Sequence, residues 1–407
     1  MNTNNIYSQN TQNQDQNISV DQCSSVVKKN SADKIWRVAI YYDTSKPSLG
    51  GHLTHLAFKG LPRCEVVALV DSNLDQIDHR RQEVGAARHY TDLQELLGAE
   101  TIDILAVCSR LPGDHIEPIA LAISRGIHVF CEKPLSASLE EADDIVKQAE
   151  QKGVHIAVAH LGRYAGVFQA AKWMIENGEI GEVKSFYGRG KEDHRGGGED
   201  LLVLGTHILD LACYFFGEPS AVFAEFTMQG KPIQVGDAIE TDEPIGTVAG
   251  DEVVAFYTFP GGVRAWFESR RGMADSGLRM GITIVGTAGS LAVRFDDERK
   301  LRISRSSMPP EDDTHFEDLT LPADAEIPGA APLDFGPYQG YMRYFIRNNR
   351  RAAWEFICAL EAQREPLASA RDARTVLEMI YGAYRSQLSG KRVSFPLPKR
   401  THPLENL

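Results

Sequence analysis

The chain has 407 residues, 43% of them apolar, and 43 Lys and Arg against 56 Asp and Glu, for a formal net charge of −13. That length gives room for two ordinary domains with sizeable cores. The acidity argues against a nucleic-acid partner, whose phosphates attract basic faces, and against an anionic membrane surface.

No segment approaches the roughly 20 apolar residues of a membrane span. The six cysteines (Cys23, Cys64, Cys108, Cys131, Cys213, Cys358) lie far apart, with no CxxC pair and no zinc spacing. A reduced, cytoplasmic protein with no metal site is expected.

Residues 1–32 are rich in Asn, Gln and Ser and read as a disordered tail. From Trp36 onward strands and helices alternate. Strands are predicted at Arg37–Tyr42, Glu65–Val70, 88–90, Ile102–Val107, His128–Cys131 and His155–Ala159. Helices are predicted up to about Lys59 (after a loop at 43–52) and at 73–84, 114–125 and 138–152. The strands are near-continuous apolar runs, as a parallel sheet covered on both faces requires. Residues 33–160 are therefore expected to form a doubly wound, Rossmann-type domain, which binds ligands beyond the carboxyl ends of its strands.

The second half, 161–397, changes character. A helix near 164–177 stops at Asn177-Gly178. Strands follow at about 183–189, 221–228, 252–259, 262–270, 280–286 and 290–295, several with alternating apolar and polar residues. That pattern predicts a large, mostly antiparallel sheet with one solvated or partner-covered face. One apolar helix is expected at 201–216 and a long surface loop at 305–335. Helices near 340–361 and 370–389 and a short strand within 390–396 close the chain. The fold class is α/β: an N-terminal Rossmann sheet plus a C-terminal α+β domain.

Three segments carry possible chemistry. Lys133, in Cys131-Glu132-Lys133-Pro134 directly after the fifth strand, puts an ammonium at the carboxyl edge of the sheet, where it can exchange a proton; it also reads as a surface lysine before a helix-starting proline. His207 and Asp210 are three apart and share a helical face, so His207 is either a proton acceptor or a satisfied core histidine. The run Lys191-Glu-Asp-His-Arg-Gly-Gly-Gly-Glu-Asp200 is either a flexible loop over a polar pocket or a solvated loop.

Over about residues 35–397 the chain resembles the glucose–fructose oxidoreductase, inositol dehydrogenase and MocA family. The matching segments are Glu132-Lys133-Pro134, Gly178-Glu-Ile-Gly-Glu-Val183, Gly205-Thr-His207-Ile-Leu-Asp210 and the closing stretch from Ala368 to Val393. The resemblance implies an oxidoreductase using NAD or NADP on a sugar, inositol or related polyol, and a homodimer or homotetramer. Lys133 and His207 match the family's catalytic lysine and histidine, and the Lys133–Pro134 peptide is expected to be cis. Arg163, Tyr164, Asp200 and Asp210 are implied near the substrate, and Glu132 and Lys133 near the cofactor.

Two departures stand out. A GxGxxG fingerprint is expected after the first strand, yet Tyr42 and its neighbours replace the early glycines, leaving Gly50 and Gly51 late in the loop, with Thr44, Ser45 and Lys46 to compensate. Asp71, ending the second strand, is placed for a ribose hydroxyl and favours NAD. Four residues before His207, where many family dehydrogenases carry an aspartate, stands Val203, with Glu199 and Asp200 the nearest carboxylates upstream. Lyase or glycosidase chemistry with recycled NAD, and a non-catalytic binding homologue, are the alternatives.

Overall fold

The computed structural model describes residues 34–46, 52–241, 245–274, 280–296, 298–306, 310 and 312–405. The tail at 1–32 and both Gly50 and Gly51 lie outside the described residues.

The first part of the chain contains β1 (Trp36–Tyr41), β2 (Cys64–Val70), α1 (Ile77–Val84), β3 (Arg88–Tyr90), α2 (Leu93–Ala99), β4 (Ile104–Val107), α3 (Ile116–Ser124), β5 (His128–Cys131), α4 (Leu139–Lys152) and β6 (Ile156–Val158). The six strands pair in parallel in the order β3-β2-β1-β4-β5-β6. The strand order reverses between β1 and β4, and a crevice opens beyond the carboxyl ends there. Every residue of β4 is buried, as its unbroken apolar run predicts. Ser138 caps α4 through a reciprocal pair with Glu141, whose N–H donates to the Ser138 hydroxyl at 3.2 Å while its carboxylate accepts from Ser138 N–H at 3.1 Å.

One element differs. The helix expected before Lys59 is a single 3-10 turn, Thr54–Leu56. The sheet face it leaves open is covered from far along the chain: Val38, Ile40, Phe58, Ile104 and Phe130 share a core with Ala352, Phe356 and Ile357, which lie on the long helix over Met342–Glu361.

The second part runs α5 (Gly166–Glu176), β7 (Val183–Arg189), α6 (Gly198–Val203), α7 (Gly205–Phe216), β8 (Ala221–Met228), β9 (Lys231–Pro232), β10 (Ile239–Glu240), β11 (Thr247–Val248), β12 (Glu252–Thr258), β13 (Arg264–Arg270), β14 (Gly281–Gly286), β15 (Ser290–Arg294), β16 (Leu301–Ser304), β17 (Glu317–Asp318), α8 (Met342–Glu361), α9 (Ala370–Ser389) and β18 (Val393–Ser394). Ten of these strands form one sheet in the order β17-β16-β15-β14-β7-β13-β12-β8-β18, with β9 on β8. Only β7 with β13 is parallel among these pairs.

One face of the sheet packs under α7 and α9, where Phe226, Ala255, Tyr257 and Phe267 meet Leu209, Met379 and Ile380. The other face carries Tyr187, Trp266, Phe256 and Phe223 directly opposite one another on four adjacent strands. Tyr187 stacks on Trp266 at 4.9 Å, and Tyr187 and Phe223 are exposed.

Among the described residues Cys64, Cys108, Cys131 and Cys213 are free thiols. The run 191–200 is a clamped wall rather than a loose loop: a Cβ on Gly196, Gly197 or Gly198 would overlap the backbone of Arg271, Gly250 or Ala249, respectively. Only glycine fits that close approach.

Candidate active site

A cleft of about 900 Å³ lies beyond the carboxyl ends of β1 and β5, between the two sheets. Its lining includes Tyr42 and Thr44 after β1, Lys133 after β5, and Asp200, Val203 and His207 on α6 and α7. The ammonium of Lys133 and the imidazole of His207 therefore meet in one cavity, although 74 positions separate them in the chain.

Lys133 explains why the expected helix over 201–216 is two helices. Its Nζ donates to the Val203 carbonyl at 3.2 Å, and the Thr206 hydroxyl donates to the same oxygen at 3.2 Å. His207 N–H, which an unbroken α-helix would aim at that carbonyl, goes to Leu204 O at 2.9 Å. The break thus occurs where the amine from the other sheet enters the helical ladder. The Lys133–Pro134 peptide is cis.

His207 is half-buried. Burial, with Lys133, His52, His160 and Arg299 around it, holds its proton affinity well below that of an ordinary imidazole. Its ring lies 6.1 Å from that of His52 and 6.2 Å from that of His160. His160 Nδ1 lies 3.0 Å from Asp210 Oδ1, and His52 Nδ1 lies 2.7 Å from Glu132 Oε1.

Glu132 is wholly buried. Burial would raise its carboxyl, but His52, Lys133 and the Thr54 hydroxyl outweigh it and hold the group down at about 2. The expectation that Glu132 touches a cofactor is corrected: His52 and Thr54 take its two oxygens, and it does not line the cleft.

Several other expected residues are placed elsewhere. Arg163 and Asp210 form a buried ion pair, with Arg163 Nε 3.0 Å from both Asp210 oxygens. Arg163 also donates to Leu367 O and meets Asp372. The Tyr164 hydroxyl accepts from Ala368 N–H in the core. None of the three lines the cleft; they fasten α9 and the chain before it to the segment after β6. Ser45 is exposed and bonded to Asp43 and Ser72. Asp71 is buried and accepts from Thr44, Asn73 and Arg80, the last at 2.7 Å, so its oxygens are already engaged.

Thr44 does line the cleft, as does Asp200, whose Oδ2 accepts from Ser269 at 2.6 Å and from Glu192 N–H at 3.0 Å. Burial raises the Asp200 carboxyl. Among the residues the sequence did not single out, His52, Arg80, Arg110 and Arg299 line the cleft. Arg299 lies 3.7 Å over the Tyr344 ring. His55 is buried with its imidazole pushed down to about 4, and it stacks on Tyr42 at 4.7 Å.

The architecture is that of a nucleotide-binding α/β protein with a second sheet facing the cofactor crevice. Comparison with known proteins specifies the class. The profile of an oxidoreductase family with an NAD-binding Rossmann fold matches residues 50–160, and that of the GFO/IDH/MocA C-terminal domain matches 168–292. The first match begins beyond β1 and Tyr42.

An uncharacterized oxidoreductase of Schizosaccharomyces pombe is 34% identical over 36% of this chain and 44% of its own length. A D-apiose dehydrogenase of Paraburkholderia graminis is 25% identical over 83% of this chain and 84% of its own. This chain's match spans less than half the length of the two fission-yeast relatives. The solved structure of a levoglucosan dehydrogenase with NADH and levoglucosan superposes with a TM-score of 0.68 at 22% identity, over 89% of this chain and all of that one. The chain belongs to the GFO/IDH/MocA oxidoreductase family.

Proposed function

We propose that this protein is a nicotinamide-dinucleotide-dependent oxidoreductase that interconverts a hydroxyl and a carbonyl on a sugar, inositol or related polyol. The observation that carries the proposal is the convergence of Lys133 and His207 in a cleft at the switch point of the parallel sheet. The D-apiose and myo-inositol dehydrogenases among its relatives support the substrate class.

The cleft suits a dinucleotide in volume and charge: about 900 Å³, with Arg80, Arg110 and Lys133 lining it in a chain of net charge −13. Thr44, Arg80 and Arg110 would hold the cofactor. When bound, the nicotinamide supplies the acceptor for the hydride from the C–H bond. Lys133 donates a hydrogen bond to the reacting oxygen and steadies developing negative charge there. His207 fixes the hydroxyl against Lys133. Asp200, on the clamped wall, presents an acceptor to a neighbouring hydroxyl.

Residues 33–160 make the cofactor domain and 161–397 the substrate domain. The row Tyr187-Trp266-Phe256-Phe223 is the surface on which a second copy would sit, since aromatic residues dominate interface cores. The test is titration with NADH and NADPH, read by nicotinamide fluorescence, followed by a panel of polyols. Saturable binding and reduction of the oxidised cofactor by one of them are expected; failure to bind either dinucleotide refutes the proposal.

A further inference from the structure

Three imidazoles stand in a row, His52, His207 and His160, with ring centres 6.1 and 6.2 Å apart. A buried carboxylate backs each end: Glu132 at 2.7 Å from His52 and Asp210 at 3.0 Å from His160. The middle ring has none, because Val203 stands one turn before it. Of the two backed imidazoles, His160 is buried and does not line the cleft, whereas His52 does.

We propose that His52, held by Glu132, is the base that takes the proton from the reacting hydroxyl, while His207 and Lys133 position the oxygen. The proposal rests on the oxidoreductase reading above.

The charges favour this assignment. A proton on His207 would sit among Lys133, His52, His160 and Arg299, every one of them cationic or neutral. Burial, with Lys133 and Arg110 nearby, leaves the proton affinity of His52 below that of an ordinary imidazole, but Glu132 opposes that fall by direct contact, which nothing does for His207. The geometry also sets the tautomer. An ionised carboxylate only accepts, so Nδ1 of His52 must carry its hydrogen and Nε2 is left bare. The dyad is fixed on all sides: Thr54 donates to the second Glu132 oxygen, Asn349 Nδ2 donates to His52 O at 2.6 Å, and the Phe345 ring lies 4.8 Å from the imidazole.

In the step, the hydroxyl O–H bond breaks and a new N–H bond forms at His52 Nε2. The O–H electron pair becomes the second C–O bond as the C–H pair leaves as hydride for the oxidised nicotinamide. The imidazolium is neutralised by Glu132 and then loses its proton to solvent. Glu132 is a positioning residue; the catalytic atom is Nε2.

The test combines two readouts. Nitrogen-15 histidine NMR, with the His52 signal identified by its loss in H52A, is expected to show the Nδ1–H tautomer in the wild type and the Nε2–H tautomer in E132Q. An Nε2–H wild type overturns the proposal. In kinetics, H52A is expected to bind NADH as the wild type does but to oxidise the polyol about 10²–10⁴-fold more slowly, with partial rescue by added imidazole. An active wild type with an equally active H52A overturns the base alone; a wild type that oxidises no polyol removes the oxidoreductase reading as well. Should H52A fail to fold, the isosteric E132Q serves: a lower kcat with an altered pH profile supports the dyad, and an unchanged one overturns it.

Discussion

Replacing Asp210 with Asn distinguishes a core ion pair from a substrate contact. The Arg163 side chain is 6% exposed and that of Asp210 1%. Asp210 accepts two 3.0 Å bonds from Arg163 Nε and a 2.8 Å contact from a terminal nitrogen. Burial would raise the Asp210 carboxyl, but Arg163 and His160 overcome it and lower it. Removing one partner of such a pair costs about 3–5 kcal/mol, because it leaves an uncompensated buried charge. Asp372, 3.1 Å from Arg163 and more exposed, retains part of the compensation, so D210N should lose about 3 kcal/mol.

The assay is urea unfolding at neutral pH, with the midpoint falling at unchanged slope. The double variant R163M/D210L removes both charges and should recover most of the loss. Because the folded carboxyl is depressed, this stabilisation is complete above the unfolded value of about 3.9 and is lost as pH falls through the lower folded value. A D210N protein within about 0.5 kcal/mol of wild type but with a raised KM for polyol would refute the structural reading and restore Asp210 to the substrate.

Other outcomes follow from the same geometry. Lys133→Ala should keep NADH affinity, measured by fluorescence, while turnover falls about 10²–10⁴-fold; unchanged turnover removes the amine from the mechanism. Gly197→Ala combines φ +93° with backbone overlap and should cost more than the roughly 1–2 kcal/mol of left-handed strain alone. Gly178→Ala (φ +74°, open space around it) is the strain-only control in the same melting experiment, and equal losses would show that the clamp does not exist. His55, held at about 4 when folded, stabilises fully above about pH 6.5 and less as pH falls toward 4, since the unfolded imidazole binds its proton first. H55Q should flatten that limb of the stability–pH curve, and an undiminished limb would rule out His55 as its source.

Much of the scaffold is legible in the sequence because burial on both faces leaves an unmistakable trace. β4 and β5 are short apolar runs, and the segment after β5 reaches the crevice with Lys133. His207 is legible differently, from the helical face it shares with Asp210 and from the family resemblance. What stayed hidden depends on contacts between distant segments. The Glu132–His52 pair spans 80 positions and the Arg163–Asp210 pair 47, and no periodicity encodes either. A signal for His52 did exist: it follows Gly50-Gly51 in the loop after the first strand, where such folds bind ligands.

The break after Val203 is invisible because its cause, a lysine 70 positions away, is absent from the local helix pattern. The glycine triplet misled in the opposite direction. Glycine marks freedom in a bare sequence, but here it marks a place with no room for a side chain.

The bond from Lys133 to Val203 has a further consequence. A backbone carbonyl is a neutral mooring for an ammonium, and exchanging one such bond for another changes the free energy by only about 1 kcal/mol. A substrate oxygen that drew the amine away would leave the Val203 carbonyl with the Thr206 hydroxyl alone. The end of one side chain thus ties the two sheets together through an exchangeable bond.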